Sequence, residues 1–107
     1  MKSICIIPAR LGSSRFPNKP LKRILGKEMI GHVYDNIKNL KDINYVTVAT
    51  PDKKIMDYMK SINGNSIITK KSHTRASDRT AEALLKIEKK LKTKFDLVIM
   101  IQGDEPM

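Results

Sequence analysis

Three cations stand in one short stretch that carries no acid: Arg10, Arg15 and Lys19, within Pro8-Ala9-Arg10-Leu11-Gly12-Ser13-Ser14-Arg15-Phe16-Pro17-Asn18-Lys19-Pro20-Leu21. Gly12, Ser13 and Ser14 are small, so backbone N–H groups there can cradle an anion, and the cations can neutralise a polyphosphate. The stretch is not a Walker A loop, because no glycine precedes Lys19 and Pro20 stands where Ser or Thr is required, and it is not GxGxxG. On charge alone a solvated basic loop accounts for it equally well. A second stretch, Gln102-Gly103-Asp104-Glu105-Pro106, sets two carboxylates beside a glycine. Asp104 is a candidate Mg²⁺ ligand, since that ion takes one or two carboxylates and fills its other positions with phosphate oxygens and water. A bare Asp-Glu-Pro also reads as an ordinary acidic turn.

For these stretches to act together, regular elements must bring their ends to one place. Ser3 to Pro8 is a continuous apolar run rich in β-branched residues, which suits a strand buried on both faces. From Glu28 onward, Ile30, Val33, Tyr34, Ile37 and Leu40 recur at helical spacing. Residues 45 to 49 read as a second strand. Thr50 is expected to cap a helix with Pro51 in its first turn and Ile55, Met56, Met59 and Ile62 on its apolar face, stopped by Asn63-Gly64-Asn65. Ser66 to Thr69 is a short third strand, followed by a basic loop to Ala76. Ser77 is expected as an N-cap and Asp78 in the first turn of a third helix that buries Ala81, Leu84, Ile87 and Leu91. Asp96 to Ile101 completes the order βαβαβαβ as a buried fourth strand.

Strands alternating with helices predict an α/β fold, a parallel sheet flanked by helices with right-handed crossovers. In such sheets ligands bind beyond the carboxyl ends of the strands. The loops at 9–20, 70–77 and 102–107 all open on that edge and can converge on one site. Cys5, Met56, Met59 and Met100 read as core, His32 as structural, and His73 as a solvated loop histidine. Arg79 stands at the start of the third helix, as a surface residue or a ligand contact. The five lysines between Lys86 and Lys94 read as a solvated helix face.

Composition narrows the function classes. The 107 residues carry 21 Lys and Arg against 11 Asp and Glu, a net charge of +10, which favours an anionic partner. Aromatic residues are only 5% and Trp is absent, so a base-stacking surface is poorly supplied. The basic residues are scattered and no reader motif is present, which counts against a nucleic-acid-binding module, the rival reading of the charge. No apolar run approaches the roughly 20 residues of a membrane span. The start, MKSICIIPAR, reads as a strand rather than a signal peptide. A single cysteine excludes an internal disulfide and a multi-cysteine zinc site, so the chain is expected in the cytoplasm. It stops on a polar loop rich in site-like residues, which leads us to expect the front part of a longer protein.

Taken together, the stretches resemble the signatures of the sugar-acid cytidylyltransferases. The resemblance rests on Ile7 to Leu21, on Gly26-Lys27-Glu28-Met29-Ile30-Gly31-His32-Val33-Tyr34, and on His73 to Arg79 followed by Ala81-Glu82-Ala83. It also rests on Gln102-Gly103-Asp104-Glu105-Pro106, which looks like the family's metal loop. The resemblance implies a Rossmann-like nucleotidyltransferase, with residues 1–107 forming the N-terminal nucleotide-binding part of a single domain. It implies CTP-dependent activation of a 3-deoxy-manno-octulosonate (Kdo)-type sugar acid to its CMP derivative, with release of pyrophosphate, for lipopolysaccharide or surface polysaccharide synthesis.

By the same resemblance, Arg10 and Lys19 bind the CTP phosphates and offset charge on the α-phosphate and leaving group, and Arg15 stands beside them. Ala9, Leu11 and Gly12 offer backbone contacts to the nucleotide. Arg79 and Gln102 contact nucleotide or sugar, and Asp104 holds Mg²⁺. The implied partners are CTP and the sugar acid, with neither nucleic acid nor membrane, and a homodimer in the full-length protein. The 107 residues alone are expected to be inactive. Family members commonly have Gln-Ser-Gly-Thr where this chain has Thr74-Arg75-Ala76-Ser77. That leaves an 8-amino relative of Kdo, or a sugar acid of the acylneuraminate type, as alternatives.

Overall fold

In the computed structural model, which describes residues 2–11, 23–24, 27–73 and 75–101, the β-branched run at the N-terminus is the strand β1 (Ser3–Pro8). A two-residue hairpin follows, β2 (Arg23–Ile24) and β3 (Lys27–Glu28), and then α1 (Met29–Lys38), β4 (Tyr45–Thr50), α2 (Lys53–Ser61), β5 (Ser66–Ile68), α3 (Ala76–Leu91) and β6 (Leu97–Met100). Four strands form one parallel sheet in the order β5-β4-β1-β6. The predicted alternation is therefore present, with the antiparallel β2–β3 pair as an element the periodicity did not reveal: two residues per strand are too few to show a period.

Every residue of β1 is buried, and the pleat divides them between two cores. Cys5, Ile7 and Ala9 join Val46 and Val48 of β4 under Ile30, Val33, Tyr34 and Ile37 of α1 and Ile55 and Met59 of α2. Ile4 and Ile6 join Ala49 beneath Ala83 and Ile87 of α3. The register pairs Cys5 with Val46 and Ile7 with Val48, so residues two apart on each strand share a face. Burial holds the Cys5 thiol up at about 11, consistent with an inert core residue. Asn63 adopts φ 58 and ends α2, where the Gly64 N–H donates to Met59 O at 2.8 Å. A Cβ on Gly64 would run into the Met59 side chain.

Several local expectations are corrected. Thr50 does not cap α2. It stays in β4, paired with Ile68, and its Oγ1 accepts the Asp52 N–H at 3.1 Å, so Pro51 and Asp52 precede the helix. Ser77 lies inside α3, whose N-cap position is Arg75. The Arg75 side chain pairs with Asp78, which occupies the first turn as expected. The buried face of α3 is Arg79, Thr80, Ala83 and Ile87 rather than Ala81 and Leu91, and Leu84 is partly buried. Leu40 is exposed because α1 ends before it. The apolar β6 is not buried: it forms the edge of the sheet and exposes Leu97, Val98 and Met100, so Met100 is no core residue. Met56 is only half-buried.

Candidate functional site

The strands that lead in sequence to the two chemistry-bearing stretches, β1 and β6, are parallel neighbours in the sheet. The chain steps from β1 to β4 to β5 in one direction and then returns to β6 on the other side of β1. The carboxyl ends of β1 and β6 therefore flank the topological switch point, where open α/β sheets bind ligands. The Ile101 N–H donates to Ile6 O at 3.2 Å, which carries the β1–β6 ladder one residue past β6.

The entry to the basic loop is pinned on both sides of Arg10. Ala9 is buried and its N–H donates to Ala49 O at 3.0 Å, extending the β1–β4 ladder. The Leu11 N–H donates to Asp52 Oδ2 at 2.8 Å, and the Leu11 side chain packs on the first core. Arg10, between them, is exposed. Asp52 stands at the N-cap position of α2, but its carboxylate makes no cap bond and serves Leu11 instead. Gly12, Arg15, Lys19, Gln102 and Asp104, the other predicted contacts, lie outside the described residues. Among the described residues no cluster of His, Cys, Asp or Glu is arranged to hold a metal ion, so the expectation of Mg²⁺ rests on Asp104.

Arg79 is neither on the surface nor loose. It is 3% exposed, and its guanidinium donates to Thr69 Oγ1 at 2.7 Å, Lys70 O at 2.9 Å and His73 O at 3.2 Å. Burial lowers its pKa first and the nearby charge of Arg10 lowers it further, while Asp52 and Glu82 oppose both. Arg79 is thus electrostatically part of the same edge as Arg10 and Asp52. Glu82, one turn on, accepts the Lys70 N–H at 3.0 Å and lies 2.6 Å from His73 Nε2. The Lys86 ammonium is 2.7 Å from its other oxygen. The Lys86 bond, with those from Lys70 and His73, outweighs desolvation and holds the Glu82 carboxyl down at about 2. His73 is therefore a half-buried, paired residue, not a solvated one.

Asp52 and Thr69 were given no site role from the sequence, and Glu82 was quoted only within the stretch that follows Arg79. An Asp after a strand reads as a helix cap, and nothing local says that its acceptor is spent on a residue 41 positions away. Glu82 did carry a signal, its place beside Arg79 at the three-residue spacing that puts side chains together on a helix.

A family model described as cytidylyltransferase matches residues 4–107. The chain belongs to the cytidylyltransferase family. This cytidylyltransferase chain is 44% identical to 3-deoxy-manno-octulosonate cytidylyltransferase of Thermodesulfovibrio yellowstonii, over 100% of its own length and 43% of the relative. It is 41% identical to the protein of the same name from Escherichia coli, over 99% of this chain and 41% of that one. A solved structure of CMP:2-keto-3-deoxy-manno-octonic acid synthetase complexed with CTP superposes with a TM-score of 0.88 at 39% identity, over 100% of this chain and 42% of that one. The fold alone is shared with 4-diphosphocytidyl-2C-methyl-D-erythritol synthase, at 16% identity and a TM-score of 0.72 over 96% of this chain and 46% of that one. The chain thus spans 41% to 46% of the length of these relatives.

Proposed function

We propose that the protein of which these residues are part transfers the cytidylyl group of CTP to the anomeric hydroxyl of a Kdo-type sugar acid, releasing pyrophosphate. The observation that carries this reading is the pairing of family membership with the switch point. The strands that lead to Arg10 and, in sequence, to Gln102–Asp104 are adjacent and parallel. The identity to relatives named for Kdo and the likeness to a CTP complex support the choice of substrates.

The nucleophile comes from the sugar acid, so the protein's task is to position two substrates and stabilise charge. Arg10, held between the pinned Ala9 and Leu11, meets the CTP phosphates together with Lys19 and Arg15. Their cations offset the charge that grows on the α-phosphate and the departing pyrophosphate. Ala9, Leu11 and Gly12 offer backbone contacts to the nucleotide, and Gln102 contacts nucleotide or sugar. Arg79 acts from beneath, through the Thr69–His73 loop and through its field at Arg10. Asp104 would hold Mg²⁺, which would supply further neutralisation of phosphate oxygens. The same reading takes the whole protein as a cytoplasmic homodimer serving lipopolysaccharide or surface polysaccharide synthesis.

The test is pyrophosphate release by the full-length protein from CTP, Mg²⁺ and Kdo, with ATP, UTP and GTP as competitors. Turnover that only CTP supports, falling about 10²-fold in Arg10→Ala, is expected. Turnover with an 8-amino or acylneuraminate-type acid but not with Kdo moves the substrate to the alternative that Thr74-Arg75-Ala76-Ser77 keeps open. No release with any sugar acid overturns the reading.

A further inference from the structure

Three side chains of α3, spaced three and four residues apart, hold the chain that leaves β5. Arg79 donates to Thr69 Oγ1, Lys70 O and His73 O. Glu82 receives the Lys70 N–H and meets His73 Nε2. Lys86 donates to Ile68 O at 3.0 Å and pairs with Glu82. This segment stands at the carboxyl edge of the sheet, next to the region where Arg10 and Asp52 act on Arg79. A carboxylate only accepts hydrogen bonds, so the 2.6 Å contact requires His73 to donate from Nε2. In the neutral ring that leaves the lone pair on Nδ1, and an oriented carboxylate–imidazole pair of this kind fixes both tautomer and ring plane.

We propose that Glu82 is a positioning residue of the transfer site: it locks His73 in the Nε2–H form and fixes the Thr69–His73 loop, so that His73 Nδ1 accepts a hydrogen bond from a hydroxyl of the nucleotide or the sugar acid. The proposal rests on the transfer reading given above. It assigns His73 to ligand binding and Glu82 to acting through it. Bonds at Lys70 and His73 tie both ends of the loop to α3, through the Lys70 N–H and O and the His73 O. The paired lysine keeps the carboxylate charged, which keeps the donor on the His73 side.

The experiment uses the full-length protein. ¹⁵N NMR of labelled histidine reads the tautomer directly, and steady-state kinetics with CTP and the sugar acid reads the ligand contact. The wild type is expected to show the Nε2–H tautomer at His73. Glu82→Ala should lose that preference and raise KM for one substrate about tenfold, the size of one lost hydrogen bond, with kcat changed less than about twofold. His73→Ala should raise the same KM by the same factor, and the double variant should be no worse than His73→Ala, since contacting residues that act as a unit are not additive. Glu82→Gln keeps one acceptor and the packing, and should fall between wild type and Glu82→Ala even where Glu82→Ala folds poorly. An Nδ1–H tautomer in the wild type, additive KM effects, or unchanged KM values per folded molecule would overturn the proposal. A wild type without turnover instead overturns the transfer reading, while the tautomer still reports on the Glu82–His73 pair.

Discussion

The Glu82 carboxylate has a stability signature that can be worked from its surroundings. Its side chain is 15% exposed, and its pKa is lowered from 4.5 to about 2, which corresponds to about 3 kcal/mol of preference for the charged form in the native state. Because the folded value is depressed, this contribution is complete above the unfolded value of 4.5 and is lost as pH falls toward the folded value. Roughly 2 kcal/mol of it should be gone by about pH 3. Urea unfolding of the 107-residue chain and of Glu82→Gln, followed by circular dichroism from pH 7 down to 3, isolates the effect, since the other carboxylates titrate in both proteins. Glu82→Gln should be about 2–3 kcal/mol less stable at pH 7, with most of that gap closed at pH 3. A gap that stays constant with pH, or one below about 0.5 kcal/mol at pH 7, would refute the assignment of Glu82 as a charged, loop-holding group.

Arg79→Lys should lower stability by about 1–3 kcal/mol in the same assay, because one ammonium cannot reproduce a fork that reaches Thr69, Lys70 and His73; an unchanged midpoint would deny that the fork holds the loop. Asp52→Ala should raise KM for CTP about tenfold in the full-length protein by freeing the Leu11 N–H and with it the approach to Arg10; an unchanged KM would show that the contact is dispensable. Cys5, buried with its pKa raised to about 11, should resist maleimide at pH 8 in the native chain and react once urea unfolds it, and equal rates would contradict its burial. The isolated chain should self-associate with concentration through the apolar edge of β6, and Val98→Lys should suppress this in sedimentation measurements; a monomeric wild type at all concentrations would argue otherwise.

Strand and helix existence was legible wherever the apolar pattern was long. β1 read as a buried run and β4 as a strand, and α1 and α2 declared their faces through Ile30, Val33, Ile37, Ile55 and Met59. Helix starts were less legible, because Thr50 and Ser77 are both cap-type residues and the choice among local hydrogen bonds is made by tertiary context. Thr50 spends its hydroxyl on the Asp52 N–H while its backbone continues the β4–β5 ladder. The face of α3 was misread because Arg79, a cation, occupies a buried position that hydrophobic periodicity never assigns to a charge. β6 looked buried because it is apolar along its length, yet a sheet edge leaves such a strand exposed. Within the candidate site, Arg10 and Arg79 were visible as charges beside recognisable motifs. Asp52 was not, because its partner Leu11 is distant in sequence and donates through its backbone.

The sheet order explains why α3, on the face opposite α1 and α2, holds the loop that leaves β5. With right-handed crossovers, the steps from β1 to β4 and from β4 to β5 run in one direction, so α1 and α2 cover the same face. The return from β5 past β4 and β1 to β6 runs the other way, and α3 must lie on the opposite face. Like α2, it follows a parallel strand, so its N-terminal turns begin at the carboxyl edge beside the loop it has just left, with the positive end of the helix dipole at the side where anions are expected. A buried apolar residue at position 79 would cover the sheet but leave Thr69 Oγ1, Lys70 O and His73 O to other partners. Arginine satisfies all three and adds charge, and Asp52 and Glu82 favour its charged form against burial. The net charge of +10 is thus a poor guide to this site. What matters is that the topology brings Arg10 close enough to act on Arg79, with Asp52 and Glu82 offsetting that effect.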